Sequence, residues 1–385
     1  MRPRLMKFDA RGCTQAWRQV LIAFAAAATL AASALAQPQA SADPASAVVF
    51  RFATVGDSRQ DPKNKSLDGQ DRRWLQNTRV LARMLEEISA HRAQALIFNG
   101  DMVMGYTHDQ AQLEREYAYW RGMVAGLMER GTYVLPVPGN HEMQMPTPQP
   151  NGKSVKLAQP ELVDAWRANM ADLIVDEARW QRTTGLALGG WNPDNNPAIG
   201  SDGVSSSQRQ LSYSLDAGPV HIAVINTDPV GHDSAAPVAW LREDLAAARA
   251  RGAKRFFVFG HKMAFSYDFN PHLADKETGL EVRPAEREAF WDVIEAFGAT
   301  YFCGHEHIYH ASQPRASDGG RAWQVIVGSG GSPFAAAPGE GSRASDRMYA
   351  WAEVAVHGDG STEIVVRGFD DHLGPTQVIE QWSLP

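Results

Sequence analysis

The sequence predicts an α/β fold with mixed β-sheets, and two patterns support this prediction. β-rich runs alternate with segments of helical periodicity through most of the chain, and the last part is rich in strands alone. Five predicted strands end in a glycine-marked turn that carries Asp, Asn or His. Ligands of open α/β sheets gather beyond the carboxyl ends of strands, so these distant turns are expected to meet at one edge.

The elements are predicted in order from the period of their apolar residues. The first strand is the β-rich run Val48–Val55, and a helix over 74–90 follows, with Val80, Met84 and Ile88 on one face. The same reasoning predicts strands at 95–98, 133–137, 211–215, 220–225, 255–259, 300–303, 323–327, 349–356, 362–369 and 377–382, and helices at 109–128, 237–251 and 286–297.

A long insert, residues 143–210, separates two of these elements, and its second part is rich in Gly, Pro, Asn and Ser. A structureless loop of this length is uncommon unless it is functional. We therefore expect helices over 160–182, followed by a mobile rim that serves as a lid over the cleft. The insert belongs to one domain, residues 48–385.

The first 36 residues have the pattern of a secretory signal peptide. A basic leader precedes an apolar run from Val20 to Leu35, which ends in the small-x-small site Ala34-Leu35-Ala36. The alternative is an uncleaved anchor, but the run is short for a bilayer span, which needs about 20 residues. We predict cleavage, a linker at 37–47, and export to a periplasm or the medium without stable membrane insertion.

Charge and cysteine content exclude two further classes. The chain has 37 Lys+Arg against 44 Asp+Glu, so it lacks the basic excess with which a protein binds a nucleic-acid backbone. Of its two cysteines, Cys13 lies in the leader, which leaves Cys303 without an internal disulfide partner. Cys303 stands in an apolar run, so we predict a buried side chain and not a nucleophile.

The glycine-marked turns carry the side chains that bind first-row metal ions. Carboxylates and imidazoles are ligands of divalent cations, and an amide oxygen adds a weak neutral ligand. Two such ions about 3.5–4 Å apart clamp the attacking and leaving oxygens of a phosphoryl displacement. The candidate ligands are Asp57, Asp101, Asn140, His261, His305 and His307, with His141 beside them.

In these motifs the chain resembles the calcineurin-like metallophosphoesterase superfamily, which includes the purple acid phosphatases. The motifs stand in the family order: Gly56-Asp57-Ser58-Arg59, Gly100-Asp101, Gly139-Asn140-His141-Glu142, Gly260-His261 and Gly304-His305-Glu306-His307. The resemblance extends over about residues 50–330. It implies two mixed sheets packed as a sandwich flanked by helices, in four layers, with a binuclear centre at the sheet edges.

The resemblance also implies a role for each motif residue. His141 contacts the phosphoryl oxygens and protonates the leaving alkoxide, and Glu142 either orients His141 or is a solvated turn carboxylate. The implied metal roles are a bridge by Asp101, one site completed by Asn140, His261 and His305, and another formed by Asp57 and His307.

The sequence departs from the family pattern at the Asp57 site. The family supplies a further ligand there, either a His or a Tyr, but this chain has Arg59 and Met104 at those positions. An arginine is permanently cationic and does not ligate metals. Tyr106 and Gln60 remain as alternative ligands. Arg59 either contacts the substrate phosphate, making it a candidate catalytic residue with His141, or pairs with an acid.

The function predicted from these residues is an exported, metal-dependent phosphoesterase. Its expected cofactors are two ions of Mn, Fe or Zn, one of them labile, and its partner is a small phosphate ester. A metal-bound hydroxide attacks phosphorus in line, without a covalent enzyme intermediate. Two alternatives remain open: a phosphodiesterase, and a non-catalytic binding protein that has kept the fold and one metal.

Overall fold

The computed structural model describes residues 46–267, 278–336 and 343–385. The chain divides after Ala47, and the unit Val48–Pro385 contains every element described below. The predicted leader, residues 1–36, and nearly all of the linker lie outside the described residues. Among the described helices, none has the length and apolar character needed to cross a bilayer.

Two large mixed sheets and a separate hairpin make up the strands of the described residues. In chain order they are β1 Val48–Val55, β2 Ala95–Phe98, β3 Tyr133–Pro136, β4 Gln144–Pro148, β5 Ser154–Ala158, β6 Leu188–Gly189, β7 Tyr213–Ala217, β8 Val220–Val224, β9 Arg255–Phe259, β10 Thr300–Cys303, β11 Tyr309–Ser312, β12 Trp323–Val327, β13 Tyr349–His357, β14 Thr362–Phe369 and β15 Gln377–Leu384. The first sheet has the order β15-β14-β13-β1-β2-β3, the second has the order β11-β12-β10-β9-β8-β7-β6, and β4 pairs with β5.

α-Helices flank the two sheets. In chain order the described ones are α1 Gly69–Trp74, α2 Thr78–Ala90, α3 Gln110–Glu129, α4 Asn140–Met143, α5 Pro160–Met170, α6 Glu177–Thr184, α7 Val238–Arg251 and α8 Pro284–Phe297. Helices α2, α3 and α5 pack against the outer face of the first sheet. Helices α7 and α8 cover the outer face of the second sheet.

The inner faces of the sheets pack on each other through large apolar side chains. Phe52 of β1 meets Phe257 of β9 with ring centroids 5.0 Å apart, and Phe302 of β10 at 6.2 Å. Both sheets contribute to this fully buried layer. The predicted α/β fold with a helix-flanked, two-sheet sandwich is therefore confirmed, and Cys303 is buried as expected.

The predicted helix over 74–90 is wrong at its start. Leu75 adopts a left-handed conformation, with φ of 52°, and it ends α1. The buried side chain of Gln76 then bonds the carbonyl of Met102, and the backbone of Gln76 bridges to Arg59. Helix α2 begins anew at Thr78, where the side chain of Asn77 accepts a hydrogen bond from the helix.

The insert is built from the β4–β5 hairpin, α5, α6 and the short strand β6. The part predicted to be a mobile rim is attached to the second sheet and its helix. The Asn195 amide donates to Asp244 of α7 at 2.6 Å, and the Asp202 carboxylate accepts the backbone N–H groups of Ala239 and Trp240 at 2.9 and 3.1 Å. A lid role for the insert remains a prediction.

Candidate metal centre

The carboxyl ends of parallel strands from both sheets bring the motif turns to one place. Asp57 follows β1, Asp101 follows β2, and Asn140 comes after β3, whereas His261 and His305 follow β9 and β10 of the second sheet. Ligand atoms of Asp57, Asp101 and His261 all lie within 4.8 Å of one another. The structure therefore brings these distant predicted residues together.

The turns that hold these residues have an unusual backbone. Asp57, Asp101 and His305 have φ values of 62°, 52° and 71°, a region that side chains other than glycine seldom enter. A Cβ atom on Gly304 would collide with the Asp57 carboxylate, and one on Gly139 would collide with Asp101. The glycines of the motifs are thus needed for close approach, and such clustered strain is typical of functional sites.

Glu142 fastens two of the turns together. Its fully buried carboxylate accepts hydrogen bonds from the backbone N–H of Gly139 at 2.8 Å and from those of residues 101–103 at 2.7 to 3.0 Å. The alternative of a solvated turn carboxylate is therefore wrong. These four bonds act on the backbone of the ligand turns and not on the ring of His141.

One half of the centre places hydrogen-bond acceptors against one another. It consists of Asp101, Asn140, His261 and His305. We call it the four-donor half, because each of these four side chains can donate an electron pair to a metal ion. Oδ1 of Asn140 lies 2.9 Å from Nε2 of His261 and 2.8 Å from Nδ1 of His305. The two ring nitrogens are 3.2 Å apart, and Oδ1 of Asp101 is 3.2 Å from Nε2 of His261.

The contact of the other ring nitrogen assigns the proton of His261 but not that of His305. Nδ1 of His261 lies 2.8 Å from the carbonyl oxygen of Asn99 and donates to it, so Nε2 carries the lone pair. Nε2 of His305 faces the hydroxyl of Thr278 at 3.4 Å, and a hydroxyl both donates and accepts, so either tautomer of His305 satisfies this contact. The lone pair of His261 Nε2 therefore faces the oxygens of Asn140 and Asp101.

Such a set of acceptors fits a metal cation. Ligand bonds of about 2.1 Å place neighbouring ligand atoms about 3.0 to 3.4 Å apart in octahedral or tetrahedral geometry. The separations in the four-donor half, 2.8 to 3.2 Å, are close to that range. Two nitrogens and two oxygens suit Mn, Fe or Zn.

The other half of the centre is organised differently, and we call it the Arg59 half. It consists of Asp57, Arg59 and His307. Nε2 of His307 is 3.6 Å from Oδ1 of Asp57 and 3.3 Å from Nη2 of Arg59. Nε of Arg59 lies 3.7 Å from Oδ2 of Asp101, so Arg59 pairs with an acid as one alternative expected.

The two alternative ligands, Tyr106 and Gln60, each contact another group of the fold. The hydroxyl of Tyr106 contacts Nδ2 of Asn140, and its ring packs on His141 with centroids 4.0 Å apart. Tyr106 therefore belongs beside the four-donor half, where it turns Oδ1 of Asn140 toward the histidines. Nε2 of Gln60 donates to the carbonyl of Gly331 at 2.8 Å.

His141 stands between the two halves. Its Nδ1 donates to the carbonyl of Met104 at 2.5 Å, and its Nε2 faces Oδ2 of Asp101 at 3.8 Å. Burial lowers the pKa of His141 well below its ordinary value, so the ring is neutral near pH 7 with its Nε2 lone pair toward the centre.

The two carboxylates of the centre differ in their electrostatics. Burial and the nearby charge of Asp101 raise the pKa of Asp57. Burial also opposes ionisation of Asp101, but the imidazoles of His141 and His261, and Arg59, outweigh it and lower the pKa of Asp101. Negative charge is therefore concentrated on Asp101, at the junction of the halves.

A cavity of about 150 Å³ opens beside the four-donor half. Lys262 is held in its wall by Asp228, at 2.7 Å, and by Asp233. The ammonium of Lys156, from the β4–β5 hairpin, lies 3.8 Å above the ring of Tyr106. The hairpin of the insert thus contributes to the space where a substrate would lie.

Sequence reasoning missed the groups that orient the histidines. Backbone carbonyls of Asn99, Met104 and Pro333 accept a ring N–H from His261, His141 and His307, at 2.8, 2.5 and 2.7 Å. Such partners set the tautomer and direction of a ligand ring. A backbone carbonyl is present in every residue, so no sequence signal distinguishes these three.

The fold and the site define a metallophosphoesterase, and the family comparison agrees. The chain belongs to the calcineurin-like phosphoesterase family, whose model matches residues 50–309. The match confirms the predicted class, a calcineurin-like metallophosphoesterase. No curated protein matches the chain.

Solved structures with a similar fold are distant in sequence. Purple acid phosphatase PPD1 from yellow lupin (Lupinus luteus) seeds is 14% identical, with a TM-score of 0.54, over 88% of this chain and 54% of that one. This chain therefore spans little more than half of the lupin protein. A dimetal phosphatase from Danio rerio is 13% identical, with a TM-score of 0.42, over 88% of this chain and 99% of that one. GAP50, the anchor in the inner membrane complex of Plasmodium, is 13% identical, with a TM-score of 0.48, over 88% and 89%.

Proposed function

We propose that this protein hydrolyses small phosphate monoesters at the cleft where the four-donor half meets the cavity. The observation that carries the proposal is the convergence of ligand atoms from Asn140, His261 and His305 within 3.2 Å of one another. The lone pairs of His261 Nε2 and Asn140 Oδ1 face each other, and a metal cation between them removes their repulsion. The cavity beside them gives a phosphate ester a place to bind.

The four-donor half supplies the residues that would hold the cation. Asp101, Asn140, His261 and His305 provide two oxygens and two nitrogens from the turns after four strands. A metal ion held there supplies Lewis acidity and lowers the pKa of water for attack on phosphorus. Glu142 keeps two of the turns in register, so the donor set is formed before substrate binds.

The remaining chemistry falls to His141 and Arg59. The Nδ1–H of His141 is held by a carbonyl, so the lone pair of its Nε2 faces the centre. That nitrogen can accept a proton from the attacking water and pass it to the leaving oxygen. The guanidinium of Arg59 is a fork of donors that suits paired phosphoryl oxygens. Displacement without a covalent enzyme intermediate needs no nucleophilic side chain, because water is the nucleophile.

Hydrolysis of 4-nitrophenyl phosphate and of bis(4-nitrophenyl) phosphate, with Mn, Zn or Fe added separately, tests the proposal. We expect release of nitrophenol from the monoester at a higher rate than from the diester. A preference for the diester would favour the alternative of a phosphodiesterase. The exposed His372→Gln variant is the control, because its side chain is 91% exposed and remote from the motifs.

A non-catalytic metal or phosphate-binding protein is the second candidate, favoured by the presence of Arg59 where the family has a ligand. Binding of inorganic phosphate to the metal-loaded protein, measured by calorimetry, is expected under both candidates. Measured binding with no hydrolysis of either ester under any metal would reject the enzyme and favour the binding protein.

We propose further that the protein acts after export, on the evidence of the basic and apolar leader in residues 1–36. Expression of the full chain in a bacterium, followed by fractionation and N-terminal sequencing, tests this. A mature N-terminus after Ala36 in the exported fraction is expected. Full-length protein in the cytoplasmic fraction would contradict it.

A further inference from the structure

We infer that the guanidinium of Arg59 takes the place of the metal ion expected at the Asp57 site. The centre then combines one exchangeable metal ion, in the four-donor half, with one permanent positive charge supplied by an arginine side chain. The family resemblance predicts two ions. The inference uses the donor set of the proposed function, and it replaces the second ion by a residue that the sequence supplies.

The ligand atom of His307 is already used by Arg59. Nδ1 of His307 donates to the carbonyl of Pro333 at 2.7 Å, so Nε2 is the acceptor nitrogen. That nitrogen lies 3.3 Å from Nη2 of Arg59, which has only N–H donors to offer. The lone pair that would bind a metal therefore accepts a hydrogen bond from the guanidinium.

The position of Arg59 is set by its backbone as well as its side chain. Its N–H donates to the carbonyl of Asp101 at 3.3 Å, and its carbonyl accepts from the hydroxyl of Ser332 at 2.7 Å. A β-bridge to Gln76 holds the same residue from a third side. With a side chain only 13% exposed, Arg59 lies inside the centre and is not a surface arginine that has folded inward.

Charge in this half is balanced without a metal. The guanidinium lies 3.7 Å from the carboxylate of Asp101. Nε2 of His307 is near both the guanidinium and the carboxylate of Asp57. Guanidinium groups are permanent cations in proteins. A divalent ion entering between Asp57 and His307 would meet a like charge at short range in a buried site, where such repulsion is weakly screened. The Arg59 half therefore does not fit a metal ion, whereas the four-donor half does.

The number of bound ions tests the inference directly. Wild-type protein is loaded with excess Mn²⁺, desalted and analysed by mass spectrometry of the metal. We expect one ion per chain. Arg59→His restores an imidazole and removes the guanidinium, so we expect two ions per chain. Arg182→His introduces an imidazole at an exposed position on α6 and is expected to stay at one.

Electron paramagnetic resonance of the same samples gives a second readout that does not depend on turnover. Wild type is expected to show the signal of an isolated Mn²⁺, and Arg59→His the exchange-coupled signal of a pair. Asp57→Asn is expected to keep one ion, because Asp57 would not ligate it. Loss of an ion in Asp57→Asn would overturn the inference.

Two ions in wild type would also overturn it, and one further variant would then name the ligand. The buried Oε1 of Gln60 has no hydrogen-bond partner among the described residues. A drop from two ions to one in Gln60→Ala would assign that oxygen to the second metal. One ion in correctly folded Arg59→His and Arg59→Ala alike would overturn the claim that Arg59 is what excludes the second ion.

The inference and the proposed function fail separately. Two ions with hydrolysis would leave the function standing and remove the inference. One ion in wild type, two in Arg59→His and no hydrolysis in either would support the inference and remove the function. Circular dichroism and thermal unfolding establish that each variant is folded before its metal content is read.

Discussion

Two buried clusters of histidine and aspartate occur in this molecule, and they differ in how their polar atoms are paired. The first is the candidate metal centre. The second, the His221 cluster, consists of Asp216, His221, Asp244 and Arg251, on β7, β8 and α7. Nδ1 of His221 lies 2.6 Å from Asp216, and Nε2 lies 2.8 Å from Asp244.

In the His221 cluster, hydrogen-bond donors face acceptors. Asp216 also accepts from Arg251 at 2.7 Å, and Asp244 accepts from Ser214 and Asn195, each at 2.6 Å. In the four-donor half, by contrast, acceptors face acceptors. Each cluster joins a fully buried histidine to buried aspartates, so the mismatch of donors and acceptors is what marks the functional cluster.

The largest effect is expected from removing a ligand of the four-donor half. His261→Ala deletes one of the converging nitrogens, so the protein should lose its ion and its turnover should fall to background. Metal analysis and ester hydrolysis of the same sample check this. His221→Gln, in the His221 cluster, is the matched comparison, and this variant should retain the ion of the four-donor half. Full metal content in His261→Ala would remove the distinction between the clusters.

Loss of His141 should reduce turnover while the ion stays bound. His141→Ala removes the Nε2 atom that faces Asp101, and a positioned proton donor or acceptor contributes about 10²–10⁴-fold to a rate. Steady-state kinetics with parallel metal analysis measure the two effects. His108→Ala, at an exposed side chain, is the control. Unchanged turnover in His141→Ala would show that the assigned role is wrong.

A smaller effect is expected from the hydroxyl that holds the Asn140 amide. Tyr106→Phe removes the contact with Nδ2 of Asn140, so cation affinity should fall by about 10- to 100-fold, as for other partners of ligand side chains. Competition with a chelator gives the affinity. Tyr119→Phe removes a hydroxyl bonded to Thr78 and should leave the affinity unchanged. Equal affinities in both variants would deny Tyr106 a positioning role.

The smallest effect on turnover is expected from a substitution in the His221 cluster, which should change the stability of the fold instead. Removing one partner of a buried ionic network costs about 3–5 kcal/mol, so His221→Gln should lower the free energy of unfolding while turnover per folded molecule stays unchanged. Denaturant unfolding at pH 6 measures it, with the exposed His372→Gln as control.

The same variant has a predicted pH dependence. Burial acts to lower the pKa of His221, but its bonds to Asp216 and Asp244 outweigh burial and raise it. Stabilisation by the protonated ring is therefore fully present below the unfolded-state pKa, about 6.5, and is lost as pH rises through the higher folded-state value. The stability gap between wild type and His221→Gln should narrow from pH 6 to pH 9. A constant gap would mean that the ring is not protonated in the fold.

Much of the fold and the set of converging residues could be predicted because short-range signals encode them. The glycine turns and the apolar runs are local, and they indicate that Asp57, Asp101 and His305 stand at strand ends. The break at Leu75 could not be predicted, because it depends on Gln76 bonding a carbonyl 26 residues away. The burial of Glu142 likewise depends on amides that become neighbours only when the turns meet.

The contact between Asp57 and the amide of His305 spans 248 residues of chain. A centre assembled from both ends of the fold has no local precursor, so no fragment of this protein should bind the cation with native affinity. The two sheets must dock before the donor atoms converge. Metal uptake during refolding would accordingly report the docking of the two sheets. Mispairing of any strand between these residues would prevent metal uptake.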